Sequence, residues 1–286
     1  MSIESTNPSE IQCPNRRKFL KRGFAAAVGL GIAGLGYTLF EAGWLQVRAI
    51  TIPVPQLPDS FQGSTIAFLS DVHHGRFTGI EYINEAVRIT NSLAPDLVLL
   101  GGDYTHRTNI YAEPCMRALA RLKSRWGTYG VMGNHDHWYG IDTTRRAMAG
   151  AGIVELTNEG VWLEQSGERL RIAGVGDLWE DEQDLDAALD DTQPHETAIL
   201  VTHNPDFVEG ITDRRVGLVL SGHTHGGQVV LPVIGAPRVP SRYGQKYLYG
   251  LVKTPTTQVY VTRGIGTVTP PVRFCCRPEI ALITMT

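Results

Sequence analysis

Nine side chains with lone pairs to offer stand just past short apolar runs in this sequence. TIAFLSD (65–71) leads into Asp71 and His73, and DLVLLGGD (96–103) ends in Asp103. GTYGVMGNHD (127–136) carries Asn134, His135 and Asp136; TAILVTHNP (197–205) carries His203; GLVLSGHTH (217–225) ends in His223 and His225. Carboxylate oxygen, amide carbonyl and neutral imidazole suit Mn, Fe or Zn, and the lack of a thiolate motif argues against a structural zinc knot. Asp71, His73, Asp103, Asn134, His203, His223 and His225 are more donors than one ion with an open position needs. They fit two divalent ions with one carboxylate bridging. Two metals about 3.5–4 Å apart clamp the in-line displacement of a phosphoester, with a bridging water of lowered pKa as the nucleophile. In an extended segment residues i and i+2 point the same way, so Asp71 and His73 face one metal edge together, and His223 and His225 each serve a different ion.

His135 is then spare. With Asp136 holding it, this imidazole reads as the general acid for the leaving alkoxide. His74, His137 and Trp179 are candidate substrate contacts. Trp138 and Tyr139 read as packing aromatics, Asp177 as a further pocket candidate, and His106 and His195 as solvent-facing. Arg263 and Arg273, in glycine- and proline-rich loops, could meet a phosphate or cap carbonyls. Any one of the five blocks alone is commonplace; five in order, each at the end of an apolar run, are not.

The elements that must position these groups follow a pattern. Each run is short, branched-rich and bounded by Gly or Pro, as a buried strand is. Helical periodicity falls between the first three, at 80–93, 112–123 and 142–151. Strand–helix alternation predicts an α/β fold with a largely parallel core, whose strand carboxyl ends form the ligand crevice. Further strands are expected at 153–156, 161–164 and 169–175, and an acidic helix at 181–191.

Composition sets the frame. The chain has 286 residues, 42% hydrophobic and 19% charged, with formal net charge -3. No basic field points to nucleic acid. Its four cysteines include an adjacent pair, Cys275-Cys276, and form no disulfide scaffold. At the amino terminus a polar stretch (1–15) precedes Arg16-Arg17-Lys18-Phe19-Leu20-Lys21 and an apolar, glycine-rich run, Phe24 to Phe40. The basic cluster before an apolar run is the layout of a signal or anchor, and RRKFLK resembles the twin-arginine export signal. The domain reading is a signal or membrane anchor at 1–45, a proline-rich linker at 46–63 and one catalytic domain at 64–286.

The ordered set DxH, GD, GNHD, a lone His and GHxH resembles the calcineurin-like metallophosphoesterase superfamily. With DVHHG, GHTHGGQ, RPEI and the leader, it is similar to the exported YkuE-like branch of bacterial phosphoesterases. The resemblance implies a four-layer α/β/β/α sandwich with two mixed sheets. It implies one metal held by Asp71, His73, Asp103 and His225 and a second by Asp103, Asn134, His203 and His223, with Asp103 bridging and His135 catalytic. The expected partners are a phosphoester substrate, the twin-arginine translocase and a membrane met through the amino-terminal segment. The alternatives are a UDP-2,3-diacylglucosamine pyrophosphatase-type hydrolase of lipid A synthesis and a non-catalytic metal-binding envelope protein. The latter needs a lost ligand or a lost His135, and none is lost.

Overall fold

In the computed structural model, which describes residues 16–286, the five apolar runs become inner strands of two mixed sheets. The first sheet holds β1 (Gln46–Ile52), β2 (Thr65–Leu69), β3 (Leu97–Leu100), β4 (Thr128–Gly130), β5 (Val154–Glu155) and the last strand, β12 (Glu279–Met285). The second holds β6 (Glu159–Gln165), β7 (Glu168–Gly174), β8 (Ala198–Val201), β9 (Val216–Ser221), β10 (Gly250–Lys253) and β11 (Gln258–Val261). Their orders are β1-β12-β2-β3-β4-β5 and β10-β11-β9-β8-β7-β6. The β2-β3-β4-β5 and β7-β8-β9-β11 blocks are parallel; β12-β2, β6-β7 and β10-β11 are antiparallel.

Strand alternation sorts the core into layers. Ile66, Phe68, Leu97 and Leu99 point between the sheets and meet Ile172, Ile199, Leu218 and Leu220. Their neighbours Ala67, Leu69, Val98 and Leu100 point outward against Ile83, Val87, Met116 and Met148. Those last four lie on α2 (Ile80–Ser92), α3 (Ala112–Leu119) and α4 (Asn134–Gly150). The outer face of the second sheet is covered by α5 (Leu185–Leu189) and by Val208, Ile211 and Tyr247. The result is the four-layer α/β/β/α sandwich. Each buried Leu, Ile or Phe contributes about 1.5–3 kcal/mol to holding the layers together.

Two expectations change. The acidic helix expected at 181–191 shrinks to one turn capped by the Asp184 side chain on the Ala187 N–H (2.8 Å), because Leu185, Ala188 and Leu189 alone supply its apolar face. The expected linker at 46–63 is not a free linker. Residues 46–52 form β1, paired in parallel with β12 along all seven residues. Val54, Leu57 and Phe61 then drop into the inter-sheet core. Prolines 53 and 55 only end the strand, at a sheet edge, where a missing N–H costs no ladder bond.

Upstream, α1 (Arg16–Ala42) is a 27-residue helix, about 40 Å long. It is the one helix among the described residues long and apolar enough to cross a membrane. The polar stretch 1–15 lies outside the described residues. The last turns of α1 touch the body. Glu41, fully buried, accepts from the Cys275 and Cys276 N–H groups (3.1 and 2.6 Å), and the Arg273 N–H donates to the Thr38 carbonyl (3.0 Å).

Candidate metal centre and active site

Each inner strand stops one to three residues short of its polar cargo. Asp71, His73, Asp103, His223 and His225 then take left-handed backbone angles, with φ of 54°, 46°, 57°, 69° and 52°. Each costs on the order of 1–3 kcal/mol for a residue with a side chain, and such strain persists only where the surroundings enforce it. Here the loops enforce it on one another: the Asp71 N–H donates to Gly102 O (3.0 Å) and the His73 N–H to Asp103 O (2.9 Å). The expectation that Asp71 and His73 converge by extended i, i+2 geometry is therefore corrected. They do converge, but through two left-handed turns after β2 has ended. Glycine is needed where these loops touch: a Cβ on Gly222 would overlap Ser70 Oγ and the Asp71 carboxylate, and one on Gly133 the Asp103 carboxylate.

Candidate donor atoms fall into two overlapping groups, Asp71–His73–His225 and Asp71–Asp103–His203, each with its donor atoms within 4.8 Å of one another. Asp103 Oδ2 lies 3.4 Å from His73 Nε2 and 3.3 Å from His203 Nε2. Asp71 Oδ1 lies 3.3 Å from His225 Nε2, which is itself 3.0 Å from His73 Nε2. His223 Nδ1 is 3.2 Å from His203 Nε2. The remaining bonds orient the donors. His203 Nδ1 donates to Gly101 O (2.7 Å) and His73 Nδ1 to Thr105 O (3.4 Å), which turns each Nε2 lone pair inward. Asn134 Oδ1 and His223 Nε2 are buried and have no hydrogen-bond partner. Buried acceptors left unpaired are costly, and two carboxylates, an amide oxygen and inward imidazole lone pairs are the donor set a divalent cation takes. The residues fit a metal.

Their protonation agrees. Burial pushes the His73 and His225 imidazoles well down and His223 to about 3, so they stay neutral, as ligands must. Burial lifts Asp71 to about 6. It also acts to raise Asp103, but the imidazoles of His203, His135 and His73 outweigh it and hold that carboxyl well below the usual range. Burial would likewise lower His203; Asp103 and Asp71 outweigh it and hold a proton there, one that a bound cation would displace.

His135 sits at the start of α4. Its N–H donates to Asp103 Oδ1 (2.8 Å), and its ring lies edge-on to His73 (4.6 Å between centroids) and flat against His106 (5.6 Å). Asp136 does not hold it. The Asp136 carboxylate faces the other way and accepts three backbone N–H groups, from Asp103 (2.8 Å), Gly133 (3.0 Å) and Tyr104 (3.0 Å). One helical position past His135 rotates the side chain by about 100°, away from the crevice. Asp136 is thus a clasp between the loops that carry Asp103 and His135, and it does not face the His135 ring as expected. His106 is also corrected: it is 8% exposed, packs beside His73 and His135, and Nε2 lies 3.3 Å from Thr269 Oγ1.

A cavity of about 420 Å³ opens over the cluster, with Asp103, Asn134, His135, His223 and His225 on its floor. Trp179 and Trp138 line one side; the Trp179 ring meets His223 edge-on at 4.4 Å. Asp177, 1% exposed, shapes that loop by accepting the Trp179 and Glu180 N–H groups. His74 and His137 do not reach the cavity wall. His74 Nδ1 donates to Thr78 O (2.8 Å), and His137 Nε2 faces Asp181 (3.7 Å). Arg263 and Arg273 are also off the wall. Arg273 is fully buried and caps carbonyls of His225, Arg263, Gly266 and Cys276; Arg263 pairs with Glu279 and lies over Tyr249. The far wall, Val268 to Val272, went unforeseen: TVTPPV reads only as a loop until a second element folds beside it.

The family model for calcineurin-like phosphoesterase matches residues 64–227. The chain is 33% identical over 279 residues to the uncharacterized metallophosphoesterase YkuE of Bacillus subtilis, covering 95% of this chain and 97% of that one. It is 30% identical over 276 residues to the phosphodiesterase YaeI of Escherichia coli, covering 95% and 99%. Among solved structures, TT1561 of Thermus thermophilus superposes with a TM-score of 0.50 at 14% identity, over 71% of this chain and 91% of that one, a likeness of fold. With the match spanning more than half of the residues and relatives aligned almost end to end, the chain belongs to the calcineurin-like phosphoesterase family.

Proposed function

We propose that the protein is a two-metal phosphodiesterase, exported by the twin-arginine route and kept at the membrane by α1. In this reading Asp71, His73, Asp103 and His225 hold one divalent ion (Mn, Fe or Zn). Asp103, Asn134, His203 and His223 hold the other. The observation that carries it is the Asp103 carboxylate, with one oxygen between the imidazoles of His73 and His203 and the other on the His135 N–H. When bound, the ions supply Lewis acidity toward the phosphoryl oxygens and a water ionised near neutral pH. The chain does the rest. His135, on the cavity floor, gives its proton to the departing alkoxide. Asp136 fixes the two loops that carry Asp103 and His135. Trp179 flanks the ester, whereas His74 and His137 serve as supports one layer back. Similarity to the phosphodiesterase YaeI supports the diester class.

The test pairs elemental analysis with hydrolysis of bis-p-nitrophenyl phosphate, after chelation and reloading with Mn, Fe or Zn. Two ions per chain and metal-dependent turnover are expected in the wild type; Asp103→Asn should lose both ions. A metal-loaded protein inert toward the diester, or a D103N variant that keeps two ions, overturns the reading.

A further inference from the structure

The far wall of the cavity is apolar, and it is bolted to α1. Val229, Pro237, Pro240, Val268, Pro270 and Val272 make up most of that wall. Its uncharged polar side chains are already committed to the protein. Gln228 donates to Val268 O (3.4 Å) and Pro270 O (3.1 Å) and accepts from the Val268 N–H (2.7 Å). Thr224 donates to Leu248 O (2.9 Å), and Thr269 meets His106. A substrate lying there gains burial of carbon and few new hydrogen bonds. A water-soluble diester with polar groups on both sides would leave those groups unpaired, which binding sites disfavour.

The wall continues into the helix. Just after Val272, the Arg273 N–H reaches Thr38 O, Phe274 meets Tyr37 ring to ring at 6.0 Å, and Glu41 caps the next two N–H groups. On its other side the same segment pairs with 228–230: the Phe274 N–H donates to Gln228 O (2.9 Å) and the Val230 N–H to Phe274 O (2.8 Å). The chain then turns through Val233 and Ile234, both exposed (107% and 68%). Trp138 and Trp179, half-exposed on the opposite rim, are the side chains that favour a membrane–water boundary. Arg238 is the one cation among the described residues lining the cavity, and it is exposed.

We infer that the substrate is an amphiphilic phosphodiester of the membrane surface, its apolar chain laid along the Val229–Val272 wall and its phosphate over the metal-binding cluster. The inference rests on the phosphodiesterase reading and adds the substrate class. The reaction is hydrolysis: a water oxygen forms one bond to phosphorus, one ester P–O bond breaks, and the departing alkoxide takes a proton. A phosphomonoester and an alcohol result, with no change of oxidation state.

The probes are alkyl p-nitrophenyl phosphates, from methyl to octyl, below their micellar concentrations, acting on the metal-loaded full chain in nanodiscs. The value of kcat/KM should rise about fourfold for each methylene that the wall buries, then level off. Val272→Asn should flatten that rise. Thermal unfolding of the metal-loaded variant reports that it has folded; Val229→Thr replaces it if it has not. A wild type that cleaves methyl and octyl esters equally well overturns the amphiphile and leaves the phosphodiesterase standing. A wild type that cleaves none of them brings down the parent reading instead.

Discussion

Asp136→Asn separates two accounts of the same residue. If Asp136 orients His135, the change disturbs proton transfer and leaves the fold alone. If it is the clasp the structure describes, the change acts on stability. One carboxylate oxygen takes the N–H groups of Asp103 and Gly133, and the other takes that of Tyr104. Asparagine can serve one pair with its carbonyl oxygen, but its amide NH2 must then face the Tyr104 N–H. A hydrogen bond to a charged group is lost, worth about 1.5–3 kcal/mol, and a buried donor is left bare at about 1–3 kcal/mol. Some of the two overlaps, so a loss of about 3 kcal/mol is expected. At about 2–4 °C per kcal/mol for a domain of this size, Tm should fall by roughly 6–12 °C. The assay is thermal unfolding of metal-loaded wild type and D136N, beside kcat for bis-p-nitrophenyl phosphate well below either transition. Unchanged Tm with kcat down a hundredfold would refute the clasp and restore the His135–Asp136 pair.

Other outcomes follow from the same geometry. His135→Ala should keep both ions, because no ligand is removed, and lose about 10²–10⁴-fold in kcat; elemental analysis of an emptied variant would contradict that split of roles. Glu41→Ala strands the Cys275 and Cys276 N–H groups and should destabilise the full chain by about 2–4 kcal/mol, with faster proteolysis in 268–277 as the local readout. Arg273→Lys cannot reach four carbonyls with one ammonium group and should cost about 3 kcal/mol, measured by urea unfolding. Replacing Arg16-Arg17 by Lys-Lys should block export; undiminished delivery of the variant to the envelope would exclude the twin-arginine route.

The parts of this molecule visible in its sequence are those with a local signature. Apolar runs ending in Asp, His or Asn marked the inner strands and the polar side chains that cluster past their carboxyl ends, because strand burial restricts residue type at fixed spacing. The direction of a side chain was less visible. Asp136 follows His135 in sequence but faces the other way, and only the helix that starts at Asn134 decides this. His106 looked solvent-facing because its cover, Thr269 and the ring of His135, comes from distant segments. The strand at 46–52 was obscured by the prolines beside it, and its partner lies over 230 residues away.

That last pairing orders the making of the protein. β1 lies just after the membrane-type helix, and its partner β12 follows over 230 residues later. β12 stands between β1 and β2, so the first sheet has a gap until residues 279–285 have been made and docked. A contact spanning nearly the whole domain forms late and slowly. Until it does, β2 shows an open edge, which is the surface through which strands of different chains aggregate. Residues 279–285 must therefore be in place before the first sheet can close. A carrier that threads chains during synthesis would meet that open edge; one that accepts finished folds would not.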